Sequence, residues 1–179
     1  PYAVVTAGLS ALQGSKHGGA CERAEGLLEE AGDARGARAT VMARLRRGEA
    51  LPGFGHPLYP EGDPRAAMLL RLVAESRPAA VAPAVAMVDA VREVMNEHPT
   101  IDFAVVALCR ALGLPAGAAL SLLGVGRVVG WIAHGLEQYQ EGREIRPRAR
   151  YAGALPRGTG ESPVLSAAGR VKTKLAPPS

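Results

Sequence analysis

The stretch LPGFGHPLYPEGDPRAAMLLRLVAES, residues 51–76, decides how the rest of the chain is read. From Leu51 to Gly62 it alternates Pro52, Gly53, Gly55, Pro57 and Pro60 with Phe54, His56 and Tyr59. Proline lacks an amide donor and glycine frees the backbone, so this half is a fixed loop and not a helix. A loop this constrained invites a functional explanation. The second half turns at once into helix, with Asp63 as cap, Pro64 at the first helical position, and Met68, Leu69, Leu72 and Val73 at helical spacing to about Ser76.

The same style extends in both directions. Tyr2–Gln13 is an Ala-rich apolar helix with no capping residue before it, and Gly14 ends it. Gly18-Gly19 lead into a helix over Ala20–Ala31 closed by Gly32, and Ala34–Arg47 follows with Gly48 as its stop. Beyond Ser76, a helix over Ala80–Glu97 is interrupted or begun at Pro83. Ile101–Leu112, Ala116–Leu123 and Val125–Gln140 read as central helices, and the tail from Gly153 as extended or loosely packed. Val4-Val5 and Val105-Val106 sit inside longer Ala- and Leu-rich runs, so length favours helix over strand. The fold class is all-α.

Composition agrees and excludes several classes. The 179 residues are 47% hydrophobic and 21% charged, which argues for one folded domain or a large piece of a larger protein, and against disorder. Aromatics are scarce at 4% beside 22 glycines, as suits closely packed helices more than a β-sandwich. The net charge of +4 demands no polyanion, so no nucleic-acid partner is expected, while small anions fit. Cys21 and Cys109 form no disulfide framework and point to a reducing cytoplasm. The apolar stretch Ala111–Gly126 is short for a membrane span and reads as core; no signal peptide and no membrane partner are expected. The histidines show no metal-ligand spacing, so no metal site is predicted.

Chemistry-bearing groups gather at Gly14–Ala20 around His17, at Pro52–His56, at Asp63–Ala66 with Arg65, and at Thr100–Phe103 around Asp102. Taken singly, a loop histidine is more often surface or structure than catalyst, and an aspartate before a helix is usually a cap. Their order carries more. Together with Gly124-Val125-Gly126-Arg127-Val128-Val129-Gly130-Trp131-Ile132-Ala133-His134 and Ile145-Arg146-Pro147-Arg148-Ala149-Arg150-Tyr151, the succession from about Gly8 to Gly153 resembles the carboxy-terminal part of the citrate synthase family.

That resemblance implies condensation of acetyl-CoA with oxaloacetate to citryl-CoA and then citrate and CoA, with no tightly bound cofactor. Asp102 matches the base that removes the methyl proton, a task suited to a carboxylate in a closed, dry site. His17 matches the neutral imidazole that donates to the thioester oxygen, and His56 the histidine that polarises and protonates the oxaloacetate carbonyl. Arg65, Arg127 and Arg146 match the carboxylate-binding arginines, the last reaching into a neighbouring subunit's site, which implies a homodimer with shared active sites. Leu51, Pro52, Gly53, Phe54 and Gly55 match the loop that wraps the adenine end of CoA with backbone groups. His134 and Trp131 are read as packing residues with a hydrogen bond.

The resemblance also implies boundaries: 1–17 as the end of a large-domain helix and a catalytic loop, 18–112 as a small helical domain, and 113–179 as the closing part of the large domain with its tail. An amino-terminal half is expected in a complete member, and without it the chain should expose apolar surface that a partner covers. Ser15-Lys16 stands where Pro-Leu is more usual, and Pro57 where many members carry Arg. Thr100-Ile101 replaces Asn-Val, and Ala104-Val105 replaces a polar pair. These departures leave room for another acyl-CoA, as in 2-methylcitrate synthesis, or for a regulatory protein that binds CoA thioesters or citrate without turnover.

Overall fold

In a computed structural model, which describes residues 1–144, residues 1–142 form one compact helical unit. Its elements are α1 (Tyr2–Leu12), α2 (His17–Ala31), α3 (Ala37–Arg46), α4 (Pro64–Ser76), α5 (Pro78–Met95), α6 (Ile101–Ala111) and α7 (Ala118–Glu141). The only extended pairing among the described residues is one antiparallel bridge between Phe54 and Pro99. The expected tail and the motif holding Arg146 lie outside the described residues.

Helix α6 is the axis of the core. Asp102, Phe103, Ala104, Val105, Val106, Ala107, Cys109 and Ala111 are all buried on it, where α2, α4 and α5 pack around it. Leu27 and Leu28 of α2, Val41 of α3 and Met87 and Val91 of α5 close the cluster. Helix α4 starts as its sequence dictates: Pro64 opens it, and the Asp63 carboxylate accepts from the Arg65 amide.

Three expectations are corrected. Helix α5 begins at Pro78 and runs unbroken through Pro83. Proline deprives only the Ala79 carbonyl of its helical partner, and Ala79 is exposed, so water can satisfy it. Helix α2 begins at His17 and includes Gly18-Gly19. A side chain at Gly18 would meet the Leu12 carbonyl oxygen at 2.4 Å, so this glycine serves a close crossing of the α1 end and not a loop. The two helices expected on either side of Gly124 are the single 24-residue α7. Gly8 of α1 and Gly135 of α7 are approach points: a side chain at Gly8 would lie 2.4 Å from the Trp131 ring, and one at Gly135 3.0 Å from Val4.

The pair α1 and α7 is also where the surface turns apolar. Helix α1 buries no residue, and α7 buries only Ala119 and Gly124, so most of the stretch read as core is exposed. Leu122, Val125, Val129, Leu136 and Tyr139 are exposed on α7 at spacings of three, four, seven and three, which put them on one face, Val125 at 72% and Val129 at 75%. The expected uncovered apolar surface is there. By length and composition alone α7 could cross a membrane, a criterion that core helices of soluble proteins also meet.

Candidate functional site

The first turns of α2 and α6 meet. His17 is the first residue of α2, Asp102 the second of α6, and His17 Nδ1 lies 3.0 Å from Asp102 Oδ1 and 3.3 Å from Oδ2. Asp102 is buried, whereas the His17 side chain is 54% exposed, so the pair sits at the rim with its carboxylate inward. An ionised carboxylate only accepts, so the proton in this contact is on Nδ1. Cys21, one turn beyond His17, reaches the same carboxylate with its Sγ 3.7 Å from Oδ1.

The loop sets the second group. Gly55 N–H donates to the His98 carbonyl at 2.9 Å, and Thr100 N–H to the Gly53 carbonyl at 2.8 Å, stitching residues 53–55 to the segment that starts α6. Phe54 sits on Phe103 with ring centroids 4.7 Å apart. Leu51 is buried and Pro52–Gly55 are half-buried. Because the flanking residues make the bridge's hydrogen bonds, the N–H and C=O of Phe54 face away from Pro99.

His56 follows directly. Its Nδ1 accepts from the Leu58 amide at 3.1 Å, so in the neutral ring Nε2 carries the proton and is the donor left over. Its ring stands 5.1 Å from that of Tyr59, and the Arg65 guanidinium lies 5.3 Å from the Tyr59 centroid. Arg65 forks onto Asp63, with Nε to Oδ1 at 2.9 Å and Nη2 to Oδ2 at 2.8 Å. Asp63 also accepts from the Ile101 amide at 3.1 Å, which ties this group to the residue before Asp102.

The electrostatics follow from these contacts. Burial raises the Asp63 carboxyl, but the hydrogen bonds and charge of Arg65 and the Ile101 amide outweigh it and hold the group below the usual carboxylate range. The Asp63 bonds hold the Arg65 guanidinium above its ordinary value, and Asp102 adds to that from a distance. Nη1 of Arg65 takes no part in the fork onto Asp63.

The structure thus unites His17 with Asp102, and places His56 and Arg65 each beside Tyr59. Arg127 stands outside both: it is exposed on α7 and makes no hydrogen bond or ion pair among the described residues. Its guanidinium lies over Gly130 on its own helix, where a side chain would meet Nη1 at 2.6 Å. His134 pairs with Glu137 at 2.8 Å on the surface, while Trp131 packs on Gly8. Tyr59, the bridging role of Asp63 and the contact of Cys21 with Asp102 were missed from sequence; only the position of Cys21 four residues after His17 hinted at the last. Grooves of about 570 Å³, between α4 and α5, and 340 Å³, beside α2 and α5, contain none of His17, His56, Arg65 and Asp102. Among the described residues no cluster of His, Cys, Asp or Glu is placed to hold a metal.

The family model "Citrate synthase, C-terminal domain" matches residues 1–148. The chain is similar to citrate synthase 2 of Bacillus subtilis, 36% identical over 159 residues that cover 85% of this chain and 42% of that protein. It is similar to the 2-methylcitrate synthase of Shewanella oneidensis, 33% identical over 161 residues, covering 87% of this chain and 43% of that one. Among solved structures it resembles citrate synthase of Thermoplasma acidophilum in ternary complex with carboxymethyl coenzyme A and oxaloacetate. That likeness has a TM-score of 0.73 at 30% identity and covers 88% of this chain and 45% of the other. The chain therefore spans less than half the length of these relatives.

Proposed function

Because the chain belongs to the citrate synthase family, we propose that these groups carry the condensation of acetyl-CoA with oxaloacetate. The observation that supports this most is the meeting of His17 Nδ1 and the Asp102 carboxylate at 3.0 Å, a donor and a base at one spot. The acyl group enters between them and separates the pair. Asp102 takes a proton from the methyl carbon while His17 Nδ1–H donates to the thioester oxygen, so the electron pair moves onto that oxygen as an enol. The enol carbon then attacks the ketone carbon of oxaloacetate, the enol proton returns to His17 Nδ1 as the thioester carbonyl re-forms, and His56 Nε2–H gives its proton to the ketone oxygen. Citryl-CoA results, and water cleaves its thioester to citrate and the CoA thiol.

The remaining Arg65 edge holds one oxaloacetate carboxylate. Arg127, once drawn from Gly130, and Arg146, which lies outside the described residues, supply others, Arg146 to the site of a second subunit. The backbone of Leu51, Pro52, Gly53, Phe54 and Gly55 takes the adenine end of CoA. Division of the chain at 17/18 and 112/113 fits this scheme, with 18–112 as the part that closes over oxaloacetate. The apolar face of α1 and α7 is covered in a homodimer or by an amino-terminal half of the same protein. Two unpaired, buried cysteines suit a cytoplasmic setting.

The test is oxaloacetate-dependent thiol release from acetyl-CoA and, in parallel, propionyl-CoA, by protein of verified intact mass. Faster release from acetyl-CoA supports the reading. Preference for propionyl-CoA favours the 2-methylcitrate reaction, which the similarity to the Shewanella protein makes the second reading. Citrate binding by calorimetry without thiol release from either substrate would leave a regulatory binding protein.

A further inference from the structure

We propose that Cys21 is a positioning residue for Asp102: its thiol donates to Oδ1 and fixes the rotation of the carboxylate, leaving Oδ2 as the oxygen that accepts the substrate proton. The inference rests on the reading of Asp102 as the base. Positions 17 and 21 are one helical turn apart on α2, so imidazole and thiol lie on the same face and hold one carboxylate together. Oδ1 takes both, at 3.0 Å from His17 Nδ1 and 3.7 Å from Cys21 Sγ, whereas Oδ2 has only the longer 3.3 Å approach to His17.

The thiol is built to stay a donor. Cys21 is 2% exposed, and burial, followed by the negative charge of Asp102, pushes it up to about 12. The other charged or titratable groups felt here are Glu25 on α2, Cys109 on α6 and, at Asp102, Arg65 on α4. An aspartate carboxylate rotates broadly about its last bond. When His17 turns to the thioester oxygen, Cys21 is the donor that remains to stop that rotation. A thiol is also a weak donor, so it orients the oxygen while withdrawing less basicity than a hydroxyl does.

Two measurements decide it. In the infrared difference between wild type and Cys21→Ala, the S–H stretching band should lie below the position of an unbonded thiol, and Asp102→Asn should move it. In steady-state kinetics, Cys21→Ala should lower kcat about tenfold with KM for oxaloacetate unchanged, and move the acid limb of the pH profile upward. Cys21→Ser, which keeps a donor, should restore most of kcat and move that limb downward. An S–H band at the unbonded position, a Cys21→Ala variant with the wild-type kcat and pH profile, or a Cys21→Ser variant no better than Cys21→Ala overturns the proposal. Absence of turnover in wild type would count against the condensation reading, and the S–H band would still decide the contact.

Discussion

Replacing Gly53 by alanine probes the joint between the loop and α6. Gly53 has φ of +86°, and a Cβ there would lie 2.9 Å from Phe103 Cβ, 3.2 Å from Phe103 Cδ2 and 3.3 Å from Ala24 Cβ. The left-handed conformation costs an alanine about 1–2 kcal/mol. Phe103 Cβ is fixed to the α6 backbone and cannot swing aside, so overpacking adds about 1–3 kcal/mol. The stiffer unfolded chain returns about 0.4–1 kcal/mol, leaving a net loss of about 1–5 kcal/mol, centred near about 3. Gly48 is the control, with φ of +70° and nothing within 4 Å of an added Cβ. Gly48→Ala bears only the conformational cost, about 1 kcal/mol. Urea unfolding of both variants, read as midpoint shifts at constant m, gives the difference. Equal losses in the two would refute the contact between the loop and Phe103, and with it the argument that the loop is held in register with α6.

Asp63→Asn should cost about 2–3 kcal/mol, because it weakens the cap and leaves Arg65 without its carboxylate. The Asp63 carboxyl is depressed in the folded state, so its contribution is complete above about pH 4 and is lost as pH falls through the depressed value. Urea midpoints of wild type and variant should therefore converge on acidification; a constant gap contradicts the assignment. For Cys21 the sign reverses: the folded thiol keeps its proton to about 12, whereas the unfolded one releases it near about 8.5. Stability should then fall as pH rises above that value, less so in Cys21→Ala, and equal alkaline slopes would oppose it. Val129→Glu, at a position 75% exposed, should change stability by less than about 0.5 kcal/mol and lower self-association in sedimentation. An unchanged association state counts against the α7 face as a covered surface.

What could be read from sequence was local. Pro52, Gly53, Gly55 and Pro57 fix their loop by their own backbone restrictions, and Asp63-Pro64 starts α4 with groups adjacent in the chain. Gly124 and Pro83 misled because each looks like a stop, whereas a helix ends only if nothing favours its continuing. Packing of α1 along α7, and the exposure of Ala79 to solvent, let both helices run on. At the site, motif order singled out His17, His56, Arg65 and Asp102; the structure puts His17 on Asp102, and sets His56 and Arg65 each beside Tyr59. Tyr59 between His56 and Arg65, three and six residues away, and Cys21 beneath Asp102, 81 residues away, needed the three-dimensional structure to be seen. Arg127 matched a motif that the structure does not bring into either group.

The most direct test of the central claim is formation of citrate from methyl-labelled acetyl-CoA and oxaloacetate, followed by mass spectrometry, with Asp102→Asn beside wild type. The account predicts labelled citrate from wild type and at least about a hundredfold slower formation in the variant, since a positioned base contributes about 10²–10⁴ in rate. Labelled citrate at the same rate from both proteins would contradict it.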